Sequence, residues 1–105
     1  MAFSIELAQA AERDIAEAVA HIAEDSPPQA SQWLDGLFTA IDTLGELPSR
    51  YAMIPESVTL SRPLRSLPYH SHRIIYEINE AKQLILVVRV YHSARKPLKG
   101  DDLDD

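Results

Sequence analysis

LRSLPYHSHRIIYEINEAKQLILVVRVYHSARKPL, residues 64–98, holds two runs rich in Ile, Val, Leu and Tyr around a polar segment, Asn79 to Gln83. Alternating β-branched and aromatic residues on both sides of such a segment predict a β-hairpin, with strands His72 to Ile78 and Leu84 to Tyr91. Before it, Arg62 to Leu67 reads as an edge strand, because Pro63 and Pro68 lack the donor that a central ladder requires. Alternation puts His72, Ile74, Tyr76 and Ile78 on one face with Leu84, Leu86, Val88 and Val90. That face is expected to pack on helices. The other carries Arg73, Ile75 and Glu77 beside Ile85, Val87, Arg89 and Tyr91, too polar for a second covered core and suited to binding. A register pairing Ile78 with Leu84 sets Arg73 across from Arg89, where like charges repel, so either an anion sits there, or Glu77 is within reach, or a shift of two residues separates them.

Working outward, residues 3–7 alternate and predict a short strand with Phe3, Ile5 and Leu7 inward. Ala8, Ala11, Ile15, Ala18, Val19 and Ile22 then recur at helical spacing, which predicts an amphipathic helix ending near Asp25. Ser26-Pro27-Pro28-Gln29 combines an N-cap, first-turn prolines and a glutamine placed to complete a capping box. The second helix carries Ala30, Trp33, Leu34, Leu37, Phe38, Ile41 and Leu44 at steps of three and four, and Pro48 stops it. Trp33 and Phe38 are read as core. Residues 47–60 show no period and are expected to be a loop.

With 105 residues, 46% hydrophobic and 25% charged, the chain fits one domain, residues 1–98, able to bury roughly two-thirds of its unfolded surface. Residues 99–105, rich in aspartate, are expected to form a disordered acidic tail. The absence of cysteine excludes disulfides, thiolate metal sites and a thiol nucleophile. No run reaches membrane-span length, and a soluble, cytoplasmic protein is expected. The net charge of −6 argues against broad attraction to nucleic acid. Yet eight of the ten basic residues lie within residues 62–99, so the C-terminal half is locally basic.

The order of elements, with Ser26-Pro27 and Ala30, Leu44 and Leu47-Pro48, Leu64-Arg65 and Leu67, His72-Arg73-Ile74-Ile75-Tyr76, and Val90-Tyr91-His92 with Arg95, resembles the RelE/ParE superfamily of type II toxin-antitoxin toxins. Its ParE-like branch is the nearer. The resemblance implies an α+β fold: an N-terminal strand and an antiparallel helical hairpin on one face of a mostly antiparallel sheet. It implies a cognate antitoxin that neutralises the toxin, and no cofactor. It further implies one of two activities, binding and inhibition of DNA gyrase, or metal-independent cleavage of mRNA on the ribosome. A third possibility is an inactive relative retained for antitoxin binding and operon autoregulation.

The position of Arg73 matches an arginine of the RelE-type active site, and Arg95 matches the family's arginine after the last strand. The lysines and the terminal tyrosine or histidine of those enzymes have no counterpart, since Arg62 and Arg65 occupy the earlier strand and Lys-Pro-Leu-Lys-Gly follows Arg95. An acid/base pair is therefore not evident where cleavage needs one. The acidic balance also suits ribosome binding poorly. Gyrase inhibition is the expected function, with Arg65, Arg73, Arg89, Tyr91 and Arg95 as the target-binding surface. For a ribonuclease the catalytic set would be Arg73, Arg95 and His92. His92 reads more readily as a strand-end histidine bonded to backbone. His70 and His72, two apart but without a nearby acid or cysteine, predict no metal centre.

Overall fold

The computed structural model describes residues 2–103. Its elements are β1 (Ser4–Leu7), α1 (Gln9–Asp25), α2 (Pro27–Asp42), α3 (Glu56–Leu60), β2 (Leu64–Tyr69), β3 (His72–Asn79) and β4 (Leu84–His92), with short 3-10 turns at Thr43–Gly45, Pro48–Arg50 and Gly100–Asp102. The sheet runs β1-β4-β3-β2. β1 lies parallel to β4, and the other neighbours are antiparallel. The expected α+β architecture is the one observed, with α1 and α2 on one face.

Ser26 makes the helical hairpin possible in a single residue. Its extended backbone ends α1, where its N–H donates to Ile22 O at 3.0 Å. Its hydroxyl accepts from Gln29 N at 3.3 Å and so caps α2. The helices bury Ala11, Ile15, Leu37 and Ile41, and Leu44 follows, against Leu67, Ile74, Tyr76, Ile85, Val87 and Val90 of the sheet. Fully burying such a side chain contributes about 1.5–3 kcal/mol. Trp33 is half-buried against this core, whereas Phe38, expected inside, is 41% exposed. The inward line of α2 runs through Ala30, Leu37 and Ile41, and Phe38 lies one step, roughly 100°, around from it.

The hairpin register differs from both simple alternatives. Ile78 faces Ile85, a shift of one residue, and Tyr76 faces Val87. Ile75 then faces Arg89, so Val88 opposes no residue and forms a β-bulge. Beyond it the shift has become two, and Arg73 faces Tyr91 instead of Arg89. The extra residue also reassigns faces. Ile85 and Val87, expected on the open side, belong to the helix-side core, while Leu86 and Val88 point to the other side.

That other side is not open. Ile75, Val88 and Tyr91 join Leu64, Ile54 and Leu98 in a second apolar cluster, with Leu60, Leu86 and Leu103 packed on it. The cover comes from two segments whose sequences show no apolar period. One is the stretch 47–60, expected to be all loop, which contains α3. The other is the C-terminal stretch, where Gly100–Asp102 turn and Leu103 makes contact. Of the expected tail, residues 104–105 lie outside the described residues, as does Met1.

β2 reaches the helices through Tyr69, whose hydroxyl donates to Trp33 O at 2.7 Å. Gly36 makes room: a Cβ there would run into the Tyr69 hydroxyl oxygen. Gly36→Ala should therefore destabilise the fold by about 1–3 kcal/mol despite the better helix propensity of alanine. In a Tyr69→Phe background the same change should be neutral or stabilising, as read from paired urea denaturation curves.

Candidate functional site

The structure gathers four of the five expected binding residues around one ring. Tyr91 is buried, and the guanidinium carbons of Arg73, Arg89 and Arg95 lie 5.7, 5.0 and 4.8 Å from its ring centroid. Each contact is attractive by about 0.5–2 kcal/mol, but three like charges around one ring also repel. Carboxylates resolve the conflict for two of them.

Arg89 is buried, with 9% exposure. Its Nε and NH2 donate to Oδ2 and Oδ1 of Asp14 on α1, both at 2.7 Å, and its NH1 donates to Asp102 O at 2.8 Å. The Asp14 hydrogen bonds raise its pKa further, against the opposing effect of burial. Asp14 also accepts from Val90 N at 2.9 Å. The reason lies in strand lengths. β1 pairs with β4 only as far as Leu7 and Val87, and Ala8 N still donates to Val87 O at 2.9 Å. Past that point β4 loses its strand neighbour, and the Asp14 carboxylate supplies the missing acceptor.

Arg73 is closed in a comparable way. Its NH1 donates to Glu56 Oε1 at 3.2 Å and its NH2 to Oε2. Glu56 Oε2 also accepts from Leu98 N at 3.1 Å, which ties α3 to the C-terminal segment. The hydrogen bond from Arg73, aided by that from Leu98 and opposed by burial, lowers the Glu56 carboxyl to about 2 from its ordinary 4.5. Arg65, the fifth expected residue, stands apart: its NH1 donates to Tyr51 O at 2.6 Å and Ser49 O at 3.3 Å, pinning the stretch after α2 to β2. Arg95 differs from all of these. It lies in the exposed turn after β4, with its N–H on His92 O at 3.0 Å. Among the described residues its guanidinium meets the Tyr91 ring and no carboxylate.

On the helix side of Arg95 runs a groove lined by Ile22, Trp33 and all four histidines of the chain, His21, His70, His72 and His92. His92 Nδ1 accepts from Ala94 N at 3.1 Å, so the proton of its neutral form sits on Nε2. This is the backbone-bonded strand-end histidine of the sequence reading. His72 lies between Trp33 and His92, with centroids 5.3 and 5.0 Å away, and its Nδ1 is buried without a partner. Burial pushes its pKa down, as does His92, while Asp14 pulls the other way.

For phosphodiester cleavage the groove offers, among the described residues, the Arg95 guanidinium beside two exposed imidazoles, His21 and His92. Arg73 and Arg89 already hold carboxylates. Asp14 and Glu56 are the partners that sequence reasoning missed. Asp14 left a signal, lying three residues after Ala11 and four before Ala18, on the apolar stripe of α1. Glu56 left none, since its short helix sits in a stretch without period.

Residues 5–97 match the family described as ParE toxin of type II toxin-antitoxin system, parDE. No curated protein sequence matches. Among solved structures the chain is similar to the chromosomal ParDE system from P. aeruginosa, at 15% identity and a TM-score of 0.69, covering 86% of this chain and 95% of that one. It is also similar to the RelBE2 toxin-antitoxin complex from Mycobacterium tuberculosis, at 16% identity and a TM-score of 0.59, covering 88% and 99% respectively. At these identities the structural likeness concerns the fold.

Asp14→Ala should destabilise the protein by about 3–5 kcal/mol, because it leaves the Arg89 charge buried without its acid; chemical denaturation measures this directly. Acid should act in two stages. The unfolded chain protonates His72 near 6.5 while the folded chain resists, so stability is full above that value and declines as pH falls below it. Glu56 stabilises fully above 4.5, and its share is lost as pH falls toward 2. Thermal melting across pH 2–8 should show both declines; His72→Gln should erase the first and Glu56→Gln the second.

Proposed function

The chain belongs to the ParE toxin family of type II toxin-antitoxin systems, and from that premise we propose that it binds and inhibits DNA gyrase and is held inactive by a cognate antitoxin. The observation that carries this reading is the closure of Arg73 and Arg89 by Glu56 and Asp14. A ribonuclease needs cations at the scissile phosphate together with groups that move protons. Here two of the three guanidinium groups around Tyr91 are structural, and each is tied to a carboxylate that a phosphate would have to displace. An inhibitor that works by binding needs only a rigid surface. The exposed turn bearing Arg95 and Lys96, next to His92, supplies one on a scaffold fixed by the buried pairs. Similarity of fold to a ParDE system and to a RelBE2 complex supports a protein antitoxin as the partner. Acting on gyrase places the toxin in the cytoplasm.

The alternative of mRNA cleavage draws on the proximity of His92 and Arg95 at the groove. Against it stands the absence, among the described residues, of a second cation open to phosphate near that pair on the helix side. Arg89 reaches the area but is bonded to Asp14.

Toxin freed of antitoxin should inhibit gyrase supercoiling in vitro, and Arg95→Ala should raise the concentration for half-inhibition about tenfold or more while leaving the protein folded at the assay temperature. Full supercoiling at large toxin excess, with codon-phased cuts in ribosome-bound mRNA, would reverse the ranking.

A further inference from the structure

Three guanidinium groups share the Tyr91 ring, and two of them have a carboxylate bonded at two oxygens. The third, Arg95, has the ring but, among the described residues, no acid. We propose that the antitoxin supplies this third carboxylate, from an acidic side chain of a segment that seats in the cavity on the tail side of Arg95. The proposal rests on the toxin reading above and adds to it the contact by which neutralisation occurs.

The cavity has a volume of about 430 Å³ and is lined by Tyr91, Arg95, Lys96, Pro97, Lys99 and Asp102 among others. Among the described residues it presents three cations against one acid. That acid is already engaged: Asp102 Oδ2 accepts from Lys99 N at 2.8 Å, and its Oδ1 lies 4.0 Å from Arg89 NH1. The local excess of positive charge is therefore open to an incoming anion. Arg95 presents a planar donor fork suited to two carboxylate oxygens, and its stacking on a buried ring holds it in place before the partner arrives. The backbone beneath is fixed as well, since Leu98 is buried and its N–H is bonded to Glu56.

A strand of phosphates fits the surroundings less well. On the other side of Arg95 the surface is lined by Asp14, Glu17, Asp101 and Asp102, with Arg13 and Arg89 between them. A nucleic acid backbone extending past the cavity would meet those acids, whereas a single carboxylate on a peptide would not. A peptide carboxylate at Arg95 also covers the residue assigned above to the gyrase contact, which gives inhibition of the toxin a direct steric and electrostatic cause.

The test uses full-length toxin and its cognate antitoxin, purified from the co-expressed complex and separated. Titration calorimetry should show Kd raised at least about tenfold by Arg95→Ala, with Arg95→Lys intermediate because it keeps the charge and loses the fork. Replacing each antitoxin Asp or Glu by Asn or Gln should find one residue whose loss is not additive with Arg95→Ala. Circular dichroism should show unchanged folding, as Arg95 is exposed. Unchanged affinity of Arg95→Ala, or additivity with every antitoxin acid, overturns the proposal. So does an Arg95→Ala variant that loses affinity for a 20-nucleotide single-stranded RNA while keeping its affinity for antitoxin. Wild-type toxin that fails to bind the antitoxin removes the toxin reading and this proposal together. Failure of the gyrase assay alone removes only the choice of target.

Discussion

The carboxylate of Asp14 holds the two halves of this protein together. It accepts two hydrogen bonds from Arg89 and one from Val90 N, at a place where β4 has outrun its neighbour β1. Helix α1 is thereby fixed to the central strand by a charged group, not by apolar packing alone. Arg89, in turn, reaches the C-terminal segment through Asp102 O. Such a pair in a buried setting is weak as a source of net stability, because desolvation offsets much of the attraction. What it provides is position: a helix, a strand end and the chain terminus meet at one guanidinium.

The second pair extends the same logic. Arg73 and Glu56 join β3 to α3, and Glu56 also receives Leu98 N. Both pairs leave their arginines over Tyr91, so the ring is surrounded by groups that have no freedom to rearrange. The chain is a member of the ParE toxin family, and in this geometry Arg73 and Arg89 serve as structural ties. Of the three guanidinium groups at the ring, Arg95 alone meets no carboxylate among the described residues, and it lies outside this framework, in a turn.

Much of the architecture was legible in the residues. Ser26, the helical periods, the hairpin and the edge strand all have local causes, and local causes can be read from a single chain. Faces and partners were not. The alternation through Leu84 to Val90 looked unbroken, yet Val88 is an extra residue, and nothing in a run of aliphatic residues says where a bulge falls. Leu98 and Leu103 cover the second face although neither belongs to a periodic pattern, because single leucines in a polar stretch carry no period to detect. The arginines drew attention as charges among apolar neighbours, but their acids lie 75 and 17 residues away in sequence. Pairing across such separations is set by tertiary structure. Asp14 alone could have been noticed, as an acid on the wrong stripe of its helix.

The bulge at Val88 has a further consequence for how such chains are compared. It divides β4 into two segments whose registers against β3 differ by one, so the turn end and the arginine end are separately phased. A relative lacking the extra residue could preserve every apolar position near the turn and still turn its arginine end over. Gap-free alignment across this point would then equate residues that face opposite ways.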